Sequence, residues 1–181
     1  AGLISLQING GAENDILIGS AGDDLVNGGT GNDTALLGPG NDTFVWNPGD
    51  GSDIVEGQGG NDTLLFNGAN ISERIDISAN GGRVRFTRDI ATVTMDLNGV
   101  ENITFTARGG ADTITVNDLS GTDVTQVNID LAATPGTGTG DGAADNVVVN
   151  GTAGDDVVVV SGSAGNATVA GLAAQVNIIG A

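Results

Sequence analysis

Several residue types are missing from this sequence, and each absence excludes a class of chemistry. The 181 residues include no Cys, no His, no Tyr and no Lys. Without Cys, the chain forms neither disulfides nor thiolate metal sites. Without His, it has no imidazole base and no Ser-His or Cys-His catalytic pair. Aromatic residues make up only 3% of the chain, with a single Trp, which disfavours a surface that stacks against sugars.

Positive charge is also scarce. Five Arg stand against 23 Asp and Glu, so the formal net charge is −18. Nucleic-acid binding needs a basic surface, and this composition excludes it. No apolar run approaches the roughly 20 residues of a membrane span, and no basic segment followed by an apolar core marks a secretory signal peptide. The sequence therefore predicts neither nucleic-acid binding nor a membrane-spanning segment.

Glycine, by contrast, is abundant, at 32 residues. Much glycine together with a strong net charge favours disorder. Yet 39% of the residues are hydrophobic, and Val and Ile recur in alternating runs that are typical of strands. The two signals are reconciled if a bound cation neutralises the acidic side chains. At this length the chain forms one domain or two small ones.

Six nine-residue units lie within residues 10–65, and every unit has Asp at its sixth position. The units start at Gly10, Gly19, Gly28, Leu37, Pro48 and Gly57. Their aspartates are Asp15, Asp24, Asp33, Asp42, Asp53 and Asp62. One step is longer than nine residues, because Trp46 and Asn47 are inserted before Pro48. A fixed period with a fixed Asp indicates a repeat array, whereas hairpin turns, the alternative, need no period of nine.

The unit combines a turn that suits a hard cation with a short strand. Its first four positions are glycine-rich, so the backbone turns sharply and adopts positive φ without steric cost. The turn carbonyls and the Asp carboxylate then converge, and calcium takes about 6–8 such oxygen ligands. From the sixth position onward, side chains alternate and the eighth faces inward. The eighth positions are all apolar: Leu17, Val26, Ala35, Phe44, Val55 and Leu64.

This pattern resembles GGxGxDxUx, the calcium-binding nonapeptide of the repeats-in-toxin (RTX), or hemolysin-type, family. The resemblance implies an all-β fold, a parallel β-roll over residues 10–65. It also implies a secreted or cell-surface bacterial protein that folds on calcium and leaves the cell by type I secretion. Three positions depart from the pattern, where Glu13, Leu37 and Pro48 replace glycine, and the sites there are expected to be weaker or terminal.

Two units make one coil, so stacked neighbours are two units apart. One column of carboxylates is then Asp15, Asp33 and Asp53, and the other is Asp24, Asp42 and Asp62. Calcium between successive coils gives four candidate sites, one for each stacked pair. The turn carbonyls expected to complete them belong to Gly10, Gly19, Gly28, Gly40, Gly57 and Gly59.

The rest of the chain is predicted to be β-rich but less regular. Residues 1–65 form the roll with an N-terminal strand, in which Ile4, Leu6 and Ile8 share a face. Residues 66–106 form a β-rich segment with a hairpin at Asn80-Gly81-Gly82. All five arginines (Arg74, Arg83, Arg85, Arg88 and Arg108) fall within residues 66–108. They are expected to form a solvated face paired with Asp76 and Asp89, or alternatively a site for an anionic polysaccharide.

Residues 107–181 are predicted to continue as an irregular β-solenoid. Asp112, Asp145 and Asp156 stand at the sixth position of looser repeats, with Ile114, Val147 and Val158 as inward candidates. Asp145 and Asp156 are neighbours, hence on opposite sides, and neither has an obvious stacked partner, so calcium is not favoured there. The runs QVNIDLA from Gln126 and QVNIIGA from Gln175 echo one another.

Calcium-binding structural module is the function that these patterns favour, with folding coupled to the metal. The chain is expected to be a fragment of a larger polypeptide. One alternative is a polysaccharide-processing enzyme or glycan-binding solenoid, and another is an adhesin or surface-layer repeat. The acids available for glycoside chemistry outside the repeats are Asp76, Asp89, Asp96, Glu101, Asp118, Asp123 and Asp130, and no pair stands out. We therefore expect no catalysis, and we expect Trp46 to cover the end of the hydrophobic ladder beside Phe44 rather than to stack on a ligand.

Overall fold

A strand begins directly after the sixth-position Asp of every repeat in the computed structural model, which describes residues 3–181. Glycine before the Asp turns the chain, and alternating side chains after it form the strand. The strands are β1 (Gln7–Ala12), β2 (Ile16–Ile18), β3 (Leu25–Thr30), β4 (Thr34–Gly40), β5 (Thr43–Trp46), β6 (Ile54–Gly60), β7 (Thr63–Asn67), β8 (Arg74–Asn80), β9 (Arg83–Arg88), β10 (Val93–Asn98), β11 (Asn102–Thr106), β12 (Thr113–Val116), β13 (Gln126–Asp130), β14 (Asn146–Val149), β15 (Val159–Ser163), β16 (Asn166–Ala170) and β17 (Gln175–Ile179). Residues 3–181 contain no α-helix and one 3₁₀ turn, Ile90–Thr92.

The strands form two sheets that face each other across one core. The first sheet has the order β1-β3-β5-β7-β11-β13-β17-β16-β15, and the second has the order β14-β12-β8-β9-β10-β6-β4-β2. Successive repeats alternate between the sheets, and strands two repeats apart pair in parallel. The predicted all-β fold with a parallel β-roll is confirmed. Both sheets contain strands from all three predicted segments, and the division at residues 66 and 107 stays a prediction.

The eighth position of each repeat faces the core, as predicted. Leu17, Val26, Ala35, Phe44, Val55 and Leu64 are all 5% exposed or less. The seventh position faces outward, and Ile16, for example, is 75% exposed. Alternation along short stacked strands therefore makes one continuous apolar ladder between the sheets.

The second sheet is interrupted by an antiparallel insertion. The predicted hairpin at residues 80–82 is present: β8 and β9 pair as far as Asn80 and Arg83, and Gly81 has φ +67°. β9 pairs antiparallel with β10, which returns the chain beside β6. β8 lies two places beyond β10 and pairs in parallel with β12. The solenoid therefore continues on both sides of the insertion.

Trp46 lies in the middle of the core, so the prediction that it covers the end of the ladder is wrong. It is fully buried at the end of β5 and stacks on Phe66 of the next coil, with ring centroids 3.9 Å apart. Phe86 and Phe105 pack around the same ring of Phe66. Its indole Nε1 donates to the carbonyl of Gly51 at 2.8 Å, which satisfies the one polar atom of the side chain.

The expected ion pairs of the arginines with Asp76 and Asp89 are also wrong. Within residues 3–181, neither aspartate forms an ion pair. Arg83 instead pairs with Glu56 and Asp96, at 2.7 and 2.6 Å. Arg88 is buried rather than solvated and pairs with Glu73. The β9–β10 pairing places Arg83 near Asp96, and the β8–β9 pairing places Arg88 near Glu73, which residue spacing does not reveal.

The two ends of the solenoid differ from the prediction. At the start, the strand begins at Gln7 instead of at residue 1. Of the three residues predicted to share a face, Ile4 and Leu6 are exposed and only Ile8 packs against the core; residues 1 and 2 of the predicted strand lie outside the described residues. Near the end, β15 and β16 run antiparallel, and Val158 is 46% exposed rather than inward. The echoing runs from Gln126 and Gln175 pair in parallel, residue for residue.

No helix in the described part of the chain is long and apolar enough to cross a membrane.

Candidate metal centre

Each repeat aspartate is tied to the aspartate one coil away. In the first column, the Asp15 N–H donates to Asp33 Oδ1 at 2.8 Å, and the Asp33 N–H donates to Asp53 Oδ1 at 2.9 Å. In the second column, the N–H groups of Asp24 and Asp42 donate to Oδ1 of Asp42 and Asp62, at 2.7 and 2.8 Å. The structure therefore brings together the stacked pairs predicted from the period.

The second oxygen of most of these carboxylates has no partner. Oδ2 is buried without a hydrogen bond in Asp15, Asp33, Asp42, Asp53 and Asp62, considering the residues from 3 to 181. An unsatisfied buried polar group costs about 1–3 kcal/mol, and a charged one costs more. Buried charges are normally paired or bound to a metal. These five unpartnered oxygens, distributed over the two columns, therefore favour the binding of cations between the stacked aspartates.

Asp24 is the exception among the six. Its Oδ2 accepts the Ser20 N–H at 2.5 Å, and its Oδ1 accepts the Leu6 N–H at 2.7 Å. Although burial acts to raise the pKa of Asp24, these hydrogen bonds and the Ser20 hydroxyl lower it overall. Ser20 thus supplies at this end of the column the partner that the other repeats lack.

The turn glycines lie against the carboxylates that they precede by five residues. A Cβ placed on Gly10, Gly19, Gly28 or Gly57 would lie under 3.0 Å from Oδ2 of the Asp in the same repeat. A Cβ on Gly40 would instead meet the carbonyl of Gly22 at 2.6 Å. Gly59 is different, because nothing lies within 4 Å of its missing Cβ. Glycine is therefore required where the turn wraps the carboxylate, and Gly59 lies outside that contact.

Burial and the charges of neighbouring acids raise the pKa of several carboxyls in the two columns. Burial, followed by the charges of Asp33 and Asp50, raises the pKa of Asp53 to about 7 despite the hydrogen bond from the Asp33 N–H. Burial and the charges of Asp42 and Glu101 raise the pKa of Asp62 to about 6. Burial and the charges of Asp24 and Asp23 also raise the pKa of Asp42. Ionisation of Asp42, Asp53 and Asp62 is therefore disfavoured until a cation is added.

A second ladder accompanies the carboxylates at the fifth position of the repeat, and sequence reasoning missed it. The N–H groups of Asn32 and Ser52 donate to the side-chain oxygens of Asn14 and Asn32, at 2.8 and 2.9 Å. On the other side, the Asn61 N–H donates to Asn41 Oδ1 at 2.9 Å. Asn before Asp therefore stabilises the stacking of the turns. The recurrence of Asn-Asp-Thr in the sequence was the available signal.

Glu101 extends the second column, which sequence reasoning also missed. Its Oε2 accepts the Asp62 N–H at 2.7 Å. The signal was its spacing, since Glu101 stands two residues before the buried Ile103, as each repeat Asp stands two residues before its core residue. Asp156, by contrast, joins neither column. It is exposed, and both of its carboxylate oxygens accept hydrogen bonds from Thr152.

The donor set fits calcium. Calcium accepts carboxylate and main-chain carbonyl oxygens and needs about 6–8 of them. No group of three or more acidic side chains within residues 3–181 converges closely enough to hold a metal alone. A cation bound to the unpartnered Oδ2 atoms would therefore take its remaining ligands from the stacked turn carbonyls. Those turns approach so closely that a Cβ on Gly10 would collide with the carbonyl of Gly28.

One family model agrees with this geometry over the first third of the chain. Residues 8–44 and 49–70 match the model of the RTX calcium-binding nonapeptide repeat, in four copies. One similar solved structure is the crystal structure of the extracellular lipase LipA from Serratia marcescens, with a TM-score of 0.41 and 16% sequence identity. That match covers 93% of this chain and 38% of the lipase chain. No curated protein sequence matches. The stretch from residue 8 to residue 70 is thus made of RTX calcium-binding nonapeptide repeats.

Proposed function

We propose that this chain is the calcium-binding structural module of a secreted bacterial protein, and that at neutral pH it becomes compact only when calcium is bound. The observation that carries the proposal is the pair of columns in which Asp Oδ2 atoms are buried without a hydrogen-bond partner. Calcium between the turns would satisfy these oxygens and neutralise the stacked charges. Such a site does not exist in the unfolded chain, so binding free energy becomes folding free energy.

The size of this coupling follows from mass action. Extracellular calcium sites have dissociation constants of about 10⁻⁴–10⁻³ M. At ten times that concentration, one site stabilises the folded state by about 1.4 kcal/mol. Four sites, one for each stacked pair, contribute roughly 5–6 kcal/mol. That is comparable to the whole stability of a typical domain, about 5–15 kcal/mol.

Coupling of folding to calcium binding would keep the chain unfolded until it is secreted. Intracellular calcium lies far below these dissociation constants, so the chain would stay unfolded before export and fold outside the cell. A chain that is unfolded in the cell suits passage through a type I secretion channel, and the RTX repeats support that route. The larger polypeptide to which the module belongs would supply any further activity.

A structural role, rather than catalysis, is also supported by the acids outside the repeats. Asp96 is paired with Arg83. Both carboxylate oxygens of Asp130 accept main-chain N–H groups, from Ala132 and Gly136. Asp76 accepts the Asn117 amide at 3.0 Å. Each of these side chains already has a structural partner, which argues against free acid–base pairs there.

The test is removal of calcium from the folded chain. Addition of EGTA at pH 8 should abolish the far-UV strand signal and shift Trp46 emission to longer wavelength, because the ring is fully buried in the folded state. Calcium in excess should restore both signals, whereas magnesium at the same concentration should not, since it demands a smaller octahedral site. Unchanged spectra after chelation would overturn the proposal.

A further inference from the structure

Glu73, Asp112 and Asp145 form a third column of carboxylates outside the residues matched by the repeat model. They directly precede β8, β12 and β14, which are neighbours in the second sheet. The Glu73 N–H donates to Asp112 Oδ1 at 2.7 Å, and the Asp112 N–H donates to Asp145 Oδ1 at 3.0 Å. The expectation that Asp145 has no stacked partner is therefore wrong.

The main chain repeats the same arrangement. In the first column, the Thr34 N–H donates to the Asp15 carbonyl at 2.9 Å. In the third column, the Asn146 N–H donates to the Asp112 carbonyl at 2.8 Å. The relation between Asp112 and Asp145 is thus the relation between Asp15 and Asp33, although its turns lack the regular nonapeptide.

Asp112 also has the feature that marks the repeat carboxylates. Its side chain is 1% exposed, and its Oδ2 is buried with no hydrogen-bond partner among the described residues. Glu73 differs, because its oxygens accept from the Arg88 guanidinium and the Ala69 N–H. Arg108 lies in the turn before Asp112 but is exposed and forms no ion pair within residues 3–181. The negative charge without a counterion is therefore at the Asp112–Asp145 step.

A third carboxylate faces the same turn. Asp141 Oδ2 accepts the Gly110 N–H at 2.7 Å, and this bond joins the turn before Asp145 to the turn before Asp112. Burial, followed by the charges of Asp145, Glu73 and Asp141, raises the pKa of Asp112 to about 7, against the hydrogen bond from the Glu73 N–H. The charges of three acids thus act on one buried carboxylate.

We propose that Asp112 and Asp145 hold a further calcium ion, completed by carbonyl oxygens of turns 107–111 and 140–144, with Asp141 as an outer carboxylate. The cation is of the hard, oxygen-binding class, because the chain contains neither Cys nor His. The ion links β12 to β14 and extends the calcium-dependent part of the solenoid beyond residue 70. The ligands of this site are Asp112 and its neighbours, and none of them belongs to the six repeats.

The number of calcium ions per chain tests the proposal. Native mass spectrometry and isothermal titration in calcium should show one ion fewer for Asp112→Asn than for the unaltered chain. Asn keeps an oxygen that accepts the Glu73 N–H, so the loss reports on Oδ2. Asp155→Asn is the matched control, since Asp155 is an exposed acid with the same charge change and should leave the count unaltered.

The outcomes separate this inference from the proposed function. An unaltered count in Asp112→Asn, while the repeats still bind calcium, overturns the further site alone. A chain that binds no calcium at all overturns both. If Asp112→Asn fails to fold, Asp145→Asn decides, because Asp145 is only partly buried: one ion fewer supports the site, and an unaltered count overturns it.

Discussion

Arg88 and Glu73 form a buried ion pair at the first carboxylate of the third column, beside the antiparallel insertion. Their side chains are 4% and 0% exposed, and the Arg88 Nε donates to Glu73 Oε1. The guanidinium carbon also lies 5.3 Å from the centroid of the Trp46 ring. At this step, an arginine of the chain itself supplies the positive charge that the other carboxylates lack. The solenoid thus combines a permanent cation with positions that need an added one.

Removal of this arginine should destabilise the chain even in saturating calcium. Arg88→Gln leaves the Glu73 carboxylate buried without its counterion, and breaking a buried pair in this way costs about 3–5 kcal/mol. Urea denaturation in excess calcium measures the loss. Arg85→Gln is the control, because Arg85 is exposed and makes no ion pair in the described part of the chain. Equal stability of the two variants would contradict the role given to Arg88.

The position of an aspartate in its column should set the number of calcium ions lost on its substitution. Asp33 belongs to two of the proposed stacked pairs and Asp15 to one. Asp33→Asn should therefore remove two ions and Asp15→Asn one, since Asn loses the charge at either position, while Asn at position 33 keeps the oxygen that accepts the Asp15 N–H. Calcium titration with an ion count provides the measurement. Equal losses, or none, would show that the ions do not lie between stacked aspartates.

Two glycines with the same predicted role should respond differently to alanine. A Cβ on Gly28 would overlap Asp33 Oδ2, whereas Gly59 has open space at its Cβ. Gly28→Ala should destabilise the calcium-bound chain by about 1–3 kcal/mol, and Gly59→Ala should stay within about 0.5 kcal/mol of the original. Thermal melts followed at the Trp46 emission compare the two. A large destabilisation by Gly59→Ala would instead indicate that the turn at Gly59 takes part in the calcium site.

Without calcium, the chain should gain order as the pH falls. The folded-state pKa values of Asp53 and Asp62 are raised to about 7 and about 6, above the ordinary 3.8. A raised pKa contributes stability that is present below the unfolded value and is lost as the pH rises through the folded one. In EGTA, strand content should therefore decrease between pH 5 and pH 8.

Far-UV circular dichroism across that range, with EGTA present, provides the check. Asp53→Asn cannot titrate at this position and should show a weaker dependence on pH than the original chain. With calcium present the trend should reverse, because protons compete with the metal for the same oxygens. Strand content in EGTA that is constant, or that increases with pH, would contradict the prediction.

The sequence alone determined the regular half of this arrangement. A period of nine placed the six repeat aspartates in two columns and their eighth-position residues in the core, because one turn and one strand always consume the same number of residues. The resemblance to the RTX nonapeptide rested on the same period. The partner lies 18 residues along the chain for Asp15 and Asp33, and 20 residues for Asp33 and Asp53, because Trp46 and Asn47 are inserted between them.

Only the tertiary structure decided the irregular half. Asp112 meets Glu73 across 39 residues and Asp145 across 33, because loops and an antiparallel insertion of different lengths lie between them. The same insertion places Arg88 beside Glu73 and Trp46. No period survives through loops of unequal length, so the stacking of these carboxylates follows from which strands share a sheet. The pairing of these strands joins residues that are distant and unevenly spaced along the chain, so the local sequence pattern does not predict it.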